Sequence, residues 1–107
     1  MGRTISHRSQ IVEQWLRGKD ESKIARENCH SIPAVQNYIE KFKRAIALIQ
    51  EGYDINSVGF LVRISPELVK QYFKVYKAVP IMQFRRKELL GFLKKEIAGA
   101  RTSRSLA

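Results

Sequence analysis

The feature that most constrains this 107-residue chain is an ungapped internal repeat. Displaced by 34 residues, Gly18 falls on Gly52, Asp20 on Asp54, Ser31 on Ser65, Val35 on Val69, Tyr38 on Tyr72 and Lys43 on Lys77. Similar types fill intervening places: Ile24 with Val58, Ala25 with Gly59, Ile39 with Phe73, Phe42 with Tyr76. When cap-type and apolar residues stay in register together, one supersecondary unit has been built twice. Thirty-four residues is also the tetratricopeptide period. The aromatic and small-residue signature of those arrays is missing, however, and they need about three or more repeats.

The repeated unit is helical. No segment alternates as a strand does, and apolar residues recur at helical spacing. Ile11, Val12, Trp15 and Leu16 form a first stripe that Gly18 ends in the manner of a helix C′ residue. Asp20 is placed to cap a short second helix carrying Ile24 and Ala25, with Glu21 in its first turn. Ser31 is placed to cap a third, whose stripe of Val35, Tyr38, Ile39, Phe42, Ile46 and Ile49 runs unbroken to Gly52. That helix, 34–51, is expected to close one unit and open the next. The expected organisation is a first unit over 3–51, a second over 45–79, an amphipathic helix over 80–98 beginning near Pro80, and a tail without structure over 99–107. Ile81, Phe84, Leu89, Phe92, Leu93 and Ile97 mark the apolar face of that last helix, and Arg85, Arg86, Lys87, Lys94 and Lys95 its basic face. So wide an apolar face has to be covered, either by the second unit or by a second copy in a homodimer.

Charge narrows the partners. Lys and Arg number 20 against 10 Asp and Glu, a net +10, so polyanions are attracted and held. Residues 83–107 hold seven Lys/Arg and two Glu, half of that surplus. Hydrophobic residues make up 44%, enough for a core. The lone Cys29 excludes an internal disulfide, and with only His7 and His30 beside it a zinc site lacks ligands. No apolar run reaches bilayer length and the start lacks a signal-peptide core, so no membrane partner is expected. The expected location is cytoplasmic, associated with the nucleoid.

Residues 24–39 carry Ile24-Ala25, a turn, Ser31, Val35 and Tyr38-Ile39. This pattern resembles the helix-turn-helix of response-regulator and sigma-factor region 4 proteins. Residues 3–79 together resemble the paired helix-turn-helix region of an uncharacterised prokaryotic family of unknown function, some of whose members are associated with mobile elements. The resemblance implies an all-α fold of two tandem helix-turn-helix units, homeodomain-like or winged-helix-like in superfamily. A small residue (Ala25, Gly59) would let two helices approach, and Val35 or Val69 would pin a recognition helix to the core. Cys29 and Arg63 stand where the pattern has its turn glycine, so a positive φ there would be strained.

The same resemblance implies double-stranded DNA as partner, with sequence-specific binding by a transcription regulator or the DNA-binding part of a transposase-like protein. In the first unit the candidate contacts are Ser31, Pro33, Gln36, Asn37 and Lys41, where Gln36 and Asn37 suit bidentate pairing to adenine and Lys41 suits phosphate. In the second they are Ser65, Glu67, Lys70, Gln71 and Lys74, where Gln71 suits adenine, Lys70 guanine and Glu67 cytosine. Lys23, Arg26 and Arg63 are phosphate candidates. Trp15, Tyr38 and Tyr72 are expected in the core, the tyrosine hydroxyls reaching water. The alternative is a protein-interaction adaptor, for example to RNA polymerase. RNA binding is disfavoured because stacking aromatics on a sheet are absent. No nucleophile–base pair or Gly-rich phosphate loop is present, so neither enzymatic activity, catalytic residues, a cofactor nor a small-molecule ligand is expected.

Overall fold

A computed structural model describes the backbone of residues 6–106 and the side chains of residues 6–94. Residues 3–5 of the expected first unit, Ala107, and the side chains of Lys95 and Ile97 lie outside those described. The described chain is all-helical and without strands: α1 (His7–Leu16), α2 (Glu21–Glu27), α3 (Ile32–Gln50), α4 (Ile55–Val62), α5 (Pro66–Ala78) and α6 (Gln83–Leu106).

Local chemistry sets these boundaries. Side chains of Ser6, Asp20, Ser31, Asp54 and Ser65 each accept a backbone N–H in the first turn of the helix that follows, relieving donors a helix start leaves unpaired. α1 and α3 stop alike. Gly18 and Gly52 take φ of +103° and +101°. Gly18 N–H donates to Trp15 O and Lys19 N–H to Gln14 O, while Gly52 N–H donates to Ile49 O and Tyr53 N–H to Leu48 O. Both are Schellman closures, which need the left-handed backbone that glycine adopts freely.

α3 is the central strut and packs against every other helix, while α1 also packs on α5. One core results, in which Trp15, Tyr72, Phe42, Ile11, Leu16 and Ile24 are completely buried. Phe42 and Tyr72 meet edge to face with ring centroids 5.6 Å apart, joining α3 to α5 in a favoured aromatic geometry. Tyr72 does not reach water as expected. Its hydroxyl is buried without a hydrogen-bond partner in the described structure, and burial pushes its pKa up to about 12.

α6 departs from expectation in four respects. It starts at Gln83, not near Pro80. Pro80 holds the preceding Val79 extended, at ψ 133°, and Met82 N–H is spent on Leu16 O at 2.8 Å, so the strap reaches α1 before turning helical. Secondly, among the described residues α6 packs on α1 and α3 and makes no contact with α4 or α5, so the shared α3 is the one part of the second unit that meets it there. Thirdly, its faces are shifted: Leu89 and Leu93 are buried, yet Phe84 is 52% exposed and Arg85 points inward. The Arg85 guanidinium lies 4.7 Å from the Trp15 ring centroid, and its Nη2 donates to Lys19 O at 2.9 Å. Its Nη1 pairs with Glu88 at 3.1 Å. Lys43 completes the cluster, its Nζ 5.1 Å from the Trp15 ring centroid and paired with Glu88 at 3.3 Å. Arginine stacks and hydrogen-bonds at once, which is why a charged residue serves at this seam. Lastly, the backbone stays helical from residue 99 through Leu106, where a tail without structure was expected. Gly99 lies between two alanines, and a single helical glycine costs only about 1 kcal/mol.

Candidate nucleic-acid interface

The repeated segment builds the same turn twice. Cys29 and Arg63 both adopt left-handed backbone, at φ 57° and 68°. Beyond each, a backbone N–H reaches back across the turn: His30 to Ala25 O at 2.9 Å, and Ile64 to Gly59 O at 3.0 Å. A left-handed L-residue costs roughly 1–2 kcal/mol, so both units carry strain where glycine would relieve it. The small residue is required in the second unit. A Cβ on Gly59 would stand 2.8 Å from the carbonyl oxygen of Ile64 and 3.4 Å from Pro66 N, both backbone atoms that cannot rotate away.

Each turn delivers the start of a longer helix. Ser31 Oγ accepts from Ala34 N–H at 3.2 Å and Ser65 Oγ from Leu68 N–H at 3.1 Å. The preceding short helices are capped by carboxylates. Asp20 is held below its ordinary pKa of 3.8 chiefly by the Ser22 side chain and then its backbone, and Asp54 likewise by the Ser57 side chain and then its backbone. A carboxylate that accepts such bonds prefers to stay charged, which also suits a helix N-terminus.

On α3 the candidate residues gather. Ser31, Pro33, Gln36 and Asn37 are exposed within its first turns, and Lys41 is half-buried further along. Gln36 Nε2 donates to Glu21 Oε1 at 3.1 Å, a surface tie to α2. Lys23 and Arg26 are exposed on α2. On α5 the candidates divide. Ser65 and Glu67 are exposed, but Gln71 is half-buried and turned onto α1, its Oε1 accepting from Ser6 N–H at 3.0 Å and Ser9 Oγ–H at 2.9 Å. Gln71 therefore does not stand on an open reading face. The reason is packing: α1 lies along α5, and its N-terminal Ser6 and Ser9 need an acceptor. Glu67 and Gln71 line one shallow cleft with His7 and Arg8. Lys70 and Lys74 line another, of about 410 Å³, with Phe73 and Lys77. Lys77 stacks 5.2 Å over the Phe73 ring.

Residues 1–75 match the family described as protein of unknown function (DUF1670). The chain belongs to it. No curated protein and no solved structure matches. The DUF1670 match takes in α1 to α4 and most of α5, so both turn units fall within it and α6 lies beyond.

Charge on these surfaces is largely free. Ion pairs among the described residues engage Arg17, Lys19, Lys43 and Arg85, none of them a candidate contact. Lys23, Arg26, Arg63, Lys70 and Lys74 form no ion pair among the described residues. Sequence reasoning missed Arg8, which stacks 5.3 Å over Tyr38, and the exposed Phe60 and Leu61 of α4. The signal for the latter was present in the repeat, where Phe60 and Leu61 occupy the places of Arg26 and Glu27.

Proposed function

We propose that this DUF1670 chain binds double-stranded DNA sequence-specifically, using α2–α3 and α4–α5 as tandem helix-turn-helix units with α3 as the principal reading helix. The observation that carries the reading is the start of α3. Ser31, Pro33, Gln36 and Asn37 are exposed at a strained, capped turn, flanked by Lys23 and Arg26 of α2, which form no ion pair among the described residues. A helix N-terminus presented beside free cations is what major-groove entry requires. Gln36 and Asn37 supply neutral bidentate groups for adenine, while Lys70, Lys74 and Lys77 supply a phosphate-tracking stripe on α5. Such a module suits a transcription regulator or the DNA-binding part of a transposase-like protein.

Selection of bound duplexes from a random pool, followed by affinity measurement over a salt series, tests this. Affinity should fall steeply with salt as phosphate counterions are released. A flat salt response, or a pool that never converges on a preferred sequence, overturns the reading.

A further inference from the structure

The repeat supplies an internal control for what α4 does. α2 and α4 hold equivalent places in the repeat, α2 packed on α3 and α4 on α5. At matched outward positions α2 carries Arg26 and Glu27, whereas α4 carries Phe60, 83% exposed, and Leu61, 44% exposed. Phe60 is the most exposed large apolar side chain among the described residues. It borders an open hollow of about 740 Å³, lined also by Leu61, Arg8, Arg63, Gly59 and Ile64. Among the described residues no carboxylate lines that hollow, and neither arginine has an ion-pair partner there.

We propose that this hollow docks an acidic amphipathic segment of another protein, with apolar side chains against Phe60 and Leu61 and carboxylates on Arg8 and Arg63. Large exposed apolar groups rimmed by charge mark interaction surfaces, and aromatic and Arg residues dominate binding there. The charge pattern selects the occupant. A DNA backbone would pair with the arginines but leave Phe60 in water, and α2 keeps charged residues at the corresponding places. A second copy in two-fold contact would set Arg8 and Arg63 against themselves in a chain already at +10. A segment bearing both carboxylates and apolar groups meets both demands. Arg63, expected from sequence to touch phosphate, serves here instead. The proposal does not rest on the DNA-binding reading.

The test uses the full chain and a synthetic helical peptide of Glu and Leu with one apolar face, compared with polyglutamate of equal charge. Isotope-labelled protein should show amide shifts concentrated at Arg8, Phe60, Leu61 and Arg63 with the amphipathic peptide. Phe60→Ser and Arg63→Glu should each weaken its binding about tenfold or more while leaving the helical circular dichroism unchanged. Polyglutamate should be indifferent to Phe60→Ser. Equal binding of the two peptides, or shifts centred on Lys70, Lys74 and Lys77, overturns the proposal in favour of general charge attraction. Sedimentation showing a dimer that Phe60→Ser dissociates assigns the hollow to a second copy and also overturns it. So does a comparable loss of duplex DNA affinity in Phe60→Ser. The peptide arm contains no DNA, so its failure is separable from failure of the DNA reading.

Discussion

The α2–α3 and α4–α5 pairs share a frame but not a surface. Asp20 and Asp54 cap alike, Ser31 and Ser65 cap alike, and Cys29 and Arg63 hold the same left-handed turn. Outward positions have diverged: Arg26 and Glu27 face Phe60 and Leu61 in the alignment, and Gln36 and Asn37 face Lys70 and Gln71. The surroundings explain part of this. α1 packs on α5, so Tyr72 and Gln71 are drawn inward where their counterparts Tyr38 and Asn37 are half-buried and exposed. Positions that satisfy backbone groups tolerate little change, whereas surface positions can specialise once a neighbouring helix has assigned one unit a different environment.

The comparison breaks most sharply at the small residue of each pair. If the two frames were identical, Gly59→Ala would be harmless, because the first unit already has Ala25. The contact with Ile64 O says that α4 and α5 lie closer. Gly59→Ala should cost about 1–3 kcal/mol as overpacking, whereas Ala25→Gly should cost about 1 kcal/mol through helix propensity. Urea unfolding of both variants measures this, and a stabilised Gly59→Ala chain would show that the close approach is not a constraint.

Next comes the division of labour proposed for DNA. Asn37→Ala should lose about 1–3 kcal/mol at the preferred site and relax specificity there. Lys74→Ala should weaken all sequences alike and lower the salt slope by about one. Gln71→Ala should leave sequence preference intact and lower stability, since Ser6 N–H and Ser9 Oγ lose their acceptor. If Gln71→Ala changes the selected sequence, α5 reads bases after all and the two units are more alike than their packing implies.

The frame was legible in the sequence because it is local. Gly18, Gly52, Asp20, Asp54, Ser31 and Ser65 act on groups a few residues away, and the apolar period exposes the core. What escaped depends on distant partners. Gln71 turns inward because of Ser6 and Ser9, more than sixty residues earlier. Arg85 reads as surface, yet it is held by Trp15, by the Lys19 carbonyl and by Glu88. The start of α6 follows from Met82 donating to Leu16, a bond with no counterpart in helical periodicity.

A smaller effect sharpens the likeness of the two turns. Cys29→Gly and Arg63→Gly should each stabilise the chain by up to about 1 kcal/mol, as removal of left-handed strain outweighs the added freedom of the unfolded glycine. Thermal unfolding decides it. Equal gains mean that the turns carry equal strain, and a loss at Arg63 alone would mean that its side chain contributes to folding.

The smallest difference lies between the two capping carboxylates. Both are held below the ordinary 3.8, each chiefly by a neighbouring serine hydroxyl. A depressed folded pKa contributes stability that is fully present above the unfolded value and is lost as pH falls through the folded one. Acid should therefore weaken both caps, over the range from just above pH 3.8 downward. Asp20 receives in addition a Coulombic pull from Arg85, the smallest of its causes, whereas Asp54 has no such neighbour among its causes. Arg85 is tied to α6, so the titration of Asp20 carries a trace of whether that helix is docked. In Arg85→Ala the Asp20 carboxyl should titrate slightly higher and Asp54 should not move, as followed by carboxyl carbon NMR. Added salt should reproduce the direction at Asp20, since an exposed charge pair is screened. If both carboxyls shift equally, Arg85→Ala has disturbed the common frame and not one contact. If neither shifts, the serine hydroxyls alone set both values and the caps are equivalent in charge environment as well as in geometry.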